Sequence, residues 1–387
     1  MIFNFKKFSI IDVGNKSFSK GKLDTLIFGT GSPPVAKTSK FLGCLIDSDL
    51  KFIPQIKYVT GKMEQCLPLL KKSASSRHGA SPARLFMMFS SFVFSKLEYV
   101  SCIWIFRVFS AHKVRCFDSD SNSSSFLPNS RPVHGYCKHW DKLNKIFMKC
   151  MRFIIGAHCS ASNNAVLVRL GVMPLHYMLA YRASLWFLKI FHNESDPPLF
   201  QQWKDVSSDD EILLLTSMYK GCYRFVTRLN ELIEEDIFSC SVSRRIEILR
   251  SAMFEDLTSH WKNLDEARVT HEVHERWQAL NFHGSMVTRY SHTVYHNAAL
   301  GRGPFGAIIH RDADDDQLRK CRHGCGVDET MEHALLECRF VDAQRCCLHE
   351  SLKSSGKRLT IANALGEENV AEDCEKLFAS FLEVFKP

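Results

Sequence analysis

Four residues near the C-terminal end carry the clearest chemistry in the chain. Cys321, Cys325, His333 and Cys338 follow the pattern C-x3-C-x7-H-x4-C. Three thiolates and one imidazole form a closed tetrahedral set. That set suits a structural zinc ion, because no coordination position stays open for a reacting water. Gly324 and Gly326 flank Cys325 and permit the tight turn that brings two sulfurs to one ion. The stretch from Glu329 to Phe340 reads as a short helix carrying His333 and Cys338. His323 could replace one ligand, and Cys346, Cys347 and His349 lie nearby. Asp312 to Asp316 lacks the glycine and terminal glutamate of a calcium loop and reads as a solvated acidic turn. Ser208-Asp209-Asp210 reads as a helix cap. No phosphate-cradling glycine loop, G-x-S-x-G or H-E-x-x-H is present. We assign no catalytic residue from the sequence.

The elements that must hold this quartet are mostly helical. Leu26-Ile27-Phe28, the Gly/Pro-rich run Gly29 to Pro34 and Phe41 to Ile46 read as strand, turn and strand. From about Pro54 the period becomes helical. Ile56, Val59, Met63, Leu67 and Leu70 form one stripe, with Pro68 expected to kink it. A second helix starts at Ser81-Pro82 and is expected to run to Trp104, apolar almost all round. Residues 108–136 read as a disordered insertion, on the Ser/Asp/Asn run at 117–125. Helical spacing returns from Trp140 to Ile154, ending at Gly156, and again from Pro174 to about Phe191. Asn193 to Pro198 is the preferred boundary. Segments near 220–239, 242–262 and 284–299 are amphipathic, and Arg302-Gly303-Pro304 stops the last. The fold class is therefore mostly α with a small N-terminal β-hairpin. The segmentation is 1–52, 53–193, 199–300 and 301–387.

Composition narrows the function. Of 387 residues, 45% are hydrophobic and 24% charged, which fits a packed protein and not a disordered one. The longest apolar stretch, Leu85 to Phe94, falls short of the roughly 18 residues that a membrane span needs. The start shows no signal-peptide pattern, so an intracellular chain is expected, with nucleus and cytoplasm not distinguished. The 15 cysteines read as free thiols plus one metal site. Residues 1–200 hold 27 Lys and Arg against 11 Asp and Glu, a net of +16; with +8 overall, the rest carries −8. A basic half calls for an anionic partner, RNA or DNA first among them. The acidic half could take a protein partner.

The segment Ser39 to Phe52, SKFLGCLIDSDLKF, resembles the F-L-G-x-x-L-D-x-x-L-x-F segment of reverse transcriptases from non-LTR (LINE-type) retrotransposons. Lys22 to Gly29 is similar to the preceding K-T-E-x-x-x-F-G strand, with Leu23 in place of the usual Thr. Further short matches follow in the family's order. His78 to Pro82 is similar to W-G-A-x-P, and Ser95 to Tyr99 to S-x-L-D-Y. Asp141-Lys142-Leu143 through Gly156 is similar to L-D-x-L-Q…L-R-x-I-L-G. Leu170 to Leu175 is similar to G-x-x-P-L. Gly301 to Gly306 and the Cys/His quartet resemble a G-H-G-P-F and zinc-knuckle tail.

The resemblance implies a primer-grip hairpin at Phe41, Leu42 and Gly43, and a helical thumb and connection after it. A helical domain carrying the knuckle would follow. It also implies template–primer binding by Lys57, Lys62, Lys71, Lys72, Arg77 and Arg84. The residues before Phe41 carry no Y/F-x-D-D, so the catalytic palm of an RNA-directed DNA polymerase is not expected in this chain. Two other readings stay open. In one, the chain is a non-enzymatic, zinc-containing interaction protein or a domesticated nucleic-acid-binding protein. In the other, it completes a palm supplied in trans.

Overall fold

A computed structural model describes residues 10–11, 35–74, 79–109, 136–192, 213–232, 237, 240–277 and 289–382. The Leu26–Phe28 strand, the Gly29–Pro34 turn, Arg77, Ser208–Asp210, most of the 108–136 insertion and the 193–198 boundary lie outside these residues.

The protein is mostly α-helical with one two-stranded antiparallel hairpin. Strand β1 (Thr38–Phe41) pairs with β2 (Cys44–Asp47), with Phe41 opposite Cys44. The turn is therefore Leu42-Gly43, within the stretch the sequence pattern assigns to one strand. Both residues have positive φ, 45° and 86°, which matches the right-handed twist of a two-residue hairpin. Asp47 then accepts hydrogen bonds from the amides of Lys51 (3.0 Å) and Phe52 (2.7 Å) and delivers the chain into a helix.

That helix, α1 (Ile53–Ser73), runs through Pro68 without ending there. Its predicted stripe is real, since Ile56, Val59, Met63 and Leu70 are buried. Helix α2 (Pro82–Met88) starts where expected, with the Ser81 hydroxyl accepting from the Arg84 amide at 3.5 Å. The single helix expected to Trp104 is broken. A π-helical turn follows at Phe89–Phe94, then a short turn at Ser95–Glu98. Val100 takes φ 54°, and α3 (Ser101–Phe109) starts afresh. An all-round apolar sequence has no polar face to mark such a break.

The remaining α-helices of six or more residues are α4 (Cys137–Ile155), α5 (Asn163–Leu170), α6 (Leu175–His192), α7 (Leu213–Asn230) and α8 (Val242–Lys262). They are followed by α9 (Arg268–Val273), α10 (Arg289–Ala299), α11 (Asp342–Ser354), α12 (Ile361–Gly366) and α13 (Ala371–Phe381). No helix among the described residues is long and apolar enough to cross a membrane.

The chain divides into two compact units. The first comprises 1–65, 93–146 and 175–253. Its core joins α3, α6 and α7. Phe106 meets Phe225, and Tyr177 meets Phe225 edge-on with centroids 5.3 Å apart. Gly221 admits this packing, since a Cβ there would sit 2.4 Å from the Phe106 ring. The second unit comprises 66–92, 147–174 and 254–387. Its core gathers α10, α11, α12 and α13 around Leu335, Leu348, Leu365, Leu377 and Phe378. Each such buried side chain contributes about 1.5–3 kcal/mol.

Candidate metal centre

The second unit positions the Cys/His quartet on a short loop and one unusual turn. Cys321 and Cys325 lie on the loop. Its neck is closed by an antiparallel bridge between Lys320 and Asp328 and by the Cys321 amide donating to the Val327 carbonyl at 2.8 Å. Gly324 and Gly326 have φ of 77° and 75°, with open space where a Cβ would project. They are required for backbone conformation and not for room.

The other two ligands explain their own spacing. His333 and Cys338 are five residues apart, which on an α-helix separates them by about 140° around the axis. The segment His333–Glu337 is instead a π-turn, and the Cys338 amide donates to the His333 carbonyl at 2.8 Å. This wider turn returns residue i+5 to the same side. It refines the short helix expected from Glu329 to Phe340. The Thr330 hydroxyl starts the turn by accepting from the His333 amide at 3.0 Å.

The four ligand atoms all lie within 4.8 Å of one another. The Cys338 sulfur is 3.9 Å from that of Cys321 and 3.7 Å from that of Cys325. His333 is buried. Its Nδ1 faces the Glu337 carboxylate at 3.4 Å, while its Nε2 has no hydrogen-bond partner. A buried nitrogen without a partner costs about 1–3 kcal/mol. A carboxylate on Nδ1 fixes the tautomer that leaves an Nε2 lone pair for an ion. Burial, reinforced by the neighbouring thiols, pushes the Cys338 thiol up to about 12. A group of this kind can hold a metal ion.

The alternatives resolve on geometry. His323 bonds the Phe381 carbonyl through Nε2 at 2.6 Å and stacks on Phe340 at 3.8 Å, so its ring is committed elsewhere. Cys346, Cys347 and His349 are exposed on α11.

Two residues that spacing did not single out position the ligands. Glu329 is 1% exposed, and its carboxylate accepts from the amides of Gly306 and Arg322, both at 2.9 Å. It also accepts from the Arg322 guanidinium, through Nε at 2.8 Å and through Nη2. Burial alone would raise the Glu329 carboxyl, but the Arg322 side-chain bond and the two amide bonds hold it below the ordinary value. Arg345 reaches back from α11 to the carbonyls of Leu335 (3.0 Å) and Cys338 and to the Asp342 carboxylate. It ties the middle of the π-turn and the ligand just beyond it. No local spacing announces either role.

The basic and hairpin residues lie elsewhere. In the first unit, Phe41 and Leu42 project from the hairpin tip, 64% and 74% exposed. The Tyr99 hydroxyl donates to the Leu42 carbonyl, and a Cβ on Gly43 would lie 3.1 Å from the Tyr99 ring. Lys57 is exposed. The Lys62 ammonium sits 5.7 Å from the Tyr58 ring centroid, and Lys40, which the sequence pattern did not single out, 5.1 Å from it. In the second unit, Lys71, Lys72 and Arg84 are exposed. Among the described residues, only Cys321, Cys325, His333 and Cys338 are grouped so that they could hold a metal ion. No family model, no curated protein and no solved structure matches this chain.

Proposed function

We propose that this chain is the primer-grip, thumb and C-terminal part of a non-LTR retrotransposon reverse transcriptase, without the catalytic palm, and that it binds template–primer nucleic acid. The observation that carries the reading is the Tyr99–Leu42 hydrogen bond. Two motifs that match the family in order, F-L-G at 41–43 and S-K-L-E-Y at 95–99, meet at that bond. Their contact leaves two large apolar side chains in solvent, where a primer end would be gripped. Lys57 and Lys62 add positive charge in the same unit, and Lys71, Lys72, Arg77 and Arg84 add it further along the chain. Phosphate contacts of this kind are sequence-independent and release counterions.

Cys321, Cys325, His333 and Cys338 hold a structural zinc ion in this reading. Thiolates about 2.3 Å from a tetrahedral ion stand about 3.8 Å apart. The 3.7 and 3.9 Å separations support that assignment.

The test is binding of the full chain to a recessed primer–template, followed by fluorescence anisotropy at increasing salt. Affinity should fall by about tenfold or more between roughly 50 and 200 mM salt. Phe41→Ala with Leu42→Ala should weaken the recessed end more than a blunt duplex. Salt-independent binding, or equal loss on both substrates, sinks the reading. The chain alone should show no primer extension.

A further inference from the structure

Five ionisable side chains in the second unit form one buried hydrogen-bonded network that the nucleic-acid reading does not use. Arg169 on α5 donates from Nε to His296 Nδ1 at 2.9 Å. His296 Nε2 faces His292 Nε2, one turn earlier on α10, at 2.8 Å. His292 Nδ1 meets the Glu375 carboxylate on α13. Arg169 Nη1 also reaches the Leu365 carbonyl at the end of α12 (2.7 Å) and Nε2 of His274, just after α9 (2.9 Å). All five side chains are buried, at 9% exposure or less.

The donors dictate every proton. A guanidinium only donates, so His296 Nδ1 and His274 Nε2 are bare. His296 must then carry its proton on Nε2 and give it to a bare His292 Nε2. His292 therefore carries its proton on Nδ1 and gives it to Glu375. The chain closes with His296 and His292 between the Arg169 cation and the Glu375 anion, and with His274 beside the guanidinium.

We propose that this network is an acid-released latch, which ties α10 to α5, α12, α13 and the end of α9 only while His274 and His296 are neutral. The Arg169 guanidinium already occupies the imidazole lone pairs of His296 Nδ1 and His274 Nε2. A new proton on either nitrogen would point at that guanidinium. The other groups facing the network are no better hosts. On α10 these are the Arg289 guanidinium, the Ser291 hydroxyl 3.5 Å from Glu375, and Tyr295, whose ring lies under Arg169 at 4.7 Å. On α13, Cys374 stands beside Glu375. Burial first, then His292, Arg169, Arg289 and His274, holds His296 well below the ordinary histidine range. Burial and Arg169 hold His274 at about 3. The folded latch refuses protons that the opened chain accepts, so acid favours opening.

Hydrogen exchange of the full chain reads this directly. An opened histidine titrates near 6.5. Going from about pH 7.5 to about 5.5 therefore favours opening by about tenfold for each histidine kept neutral. With His274 and His296 both excluded, α10 amides at 289–299 should lose about a hundredfold in protection after correction for intrinsic exchange. His296→Gln, whose amide can accept from Arg169 and donate to His292, should reduce the loss to about tenfold. Unchanged protection in the wild type, or a full hundredfold loss in the variant, overturns the latch. If the variant does not fold, nitrogen-15 histidine spectra of the wild type decide. His296 bearing its only ring proton on Nε2 in the folded chain at about pH 5.5 supports it. A folded His296 imidazolium overturns it.

Discussion

Glu329→Gln should cost the second unit about 3 kcal/mol. The wild-type carboxylate is 1% exposed and accepts four hydrogen bonds, two from backbone amides and two from Arg322. An amide of the same size keeps one acceptor oxygen but turns an NH2 group towards donors. Breaking a buried ion pair typically costs about 3–5 kcal/mol. Arg322 is 38% exposed and regains hydration, which places the loss at the lower end. Arg322→Met should cost about 2 kcal/mol by leaving the carboxylate with the two amides alone. The double variant should be less destabilised than the two single costs together, by about 1–2 kcal/mol. Urea denaturation of the full chain, read in the second unit at Trp261 and Trp277, measures all three variants. The pH dependence has a definite sign. The Glu329 carboxyl is held below its ordinary value, so its contribution is present above about pH 4.3 and is lost as pH falls through the lowered folded value. The Gln variant should therefore lose less stability than the wild type in that acid range. A Glu329→Gln cost below about 1 kcal/mol, or strict additivity, refutes the role given to this pair.

Gly156→Ala should cost about 3 kcal/mol by thermal melting, because φ is 66° and the new Cβ would lie 2.4 Å from Thr293 Oγ1. Adding Thr293→Ala should recover the steric part only. Cobalt titration of the metal centre should give tetrahedral visible bands, lost in Cys338→Ala. Its apparent affinity should rise by about tenfold or more per pH unit, because a Cys338 thiol pushed up to about 12 must surrender its proton to the ion. Tyr99→Phe should loosen the hairpin tip by about 1 kcal/mol, seen as faster exchange of the 41–44 amides with the helices unchanged.

The features legible in the sequence are those whose parts lie close along the chain. The metal quartet spans 18 residues, so its spacing alone exposes it. The stripe from Ile56 to Leu70, the Ser81 cap and the αL glycine at 156 are likewise local signals. The turn at Leu42-Gly43 was read as part of one strand because a leucine at positive φ has no propensity to announce it. The break at Val100 hid for a related reason, since a β-branched residue is an unlikely one to take φ 54°. The histidine latch was invisible for a different reason. His292 and His296 have helical spacing, but nothing local marks Arg169, His274 and Glu375 as their partners. Only tertiary packing brings those residues together.

The π-turn at 333–337 makes the metal centre sensitive to length rather than to composition. Of the four residues between its ligands, Ala334 and Leu335 are buried, whereas Glu337 is exposed. Conservative replacements at any of the four leave the i+5 hydrogen bond in place. Removing one residue closes the turn to an α-helical repeat of four. His333 and the cysteine then still share a face, but the chain beyond is drawn back by one residue and Arg345 loses its anchor on the Leu335 carbonyl. Inserting one residue carries the cysteine sulfur away from the other two. A single-codon insertion or deletion here would therefore damage the centre more than most substitutions across the same four positions.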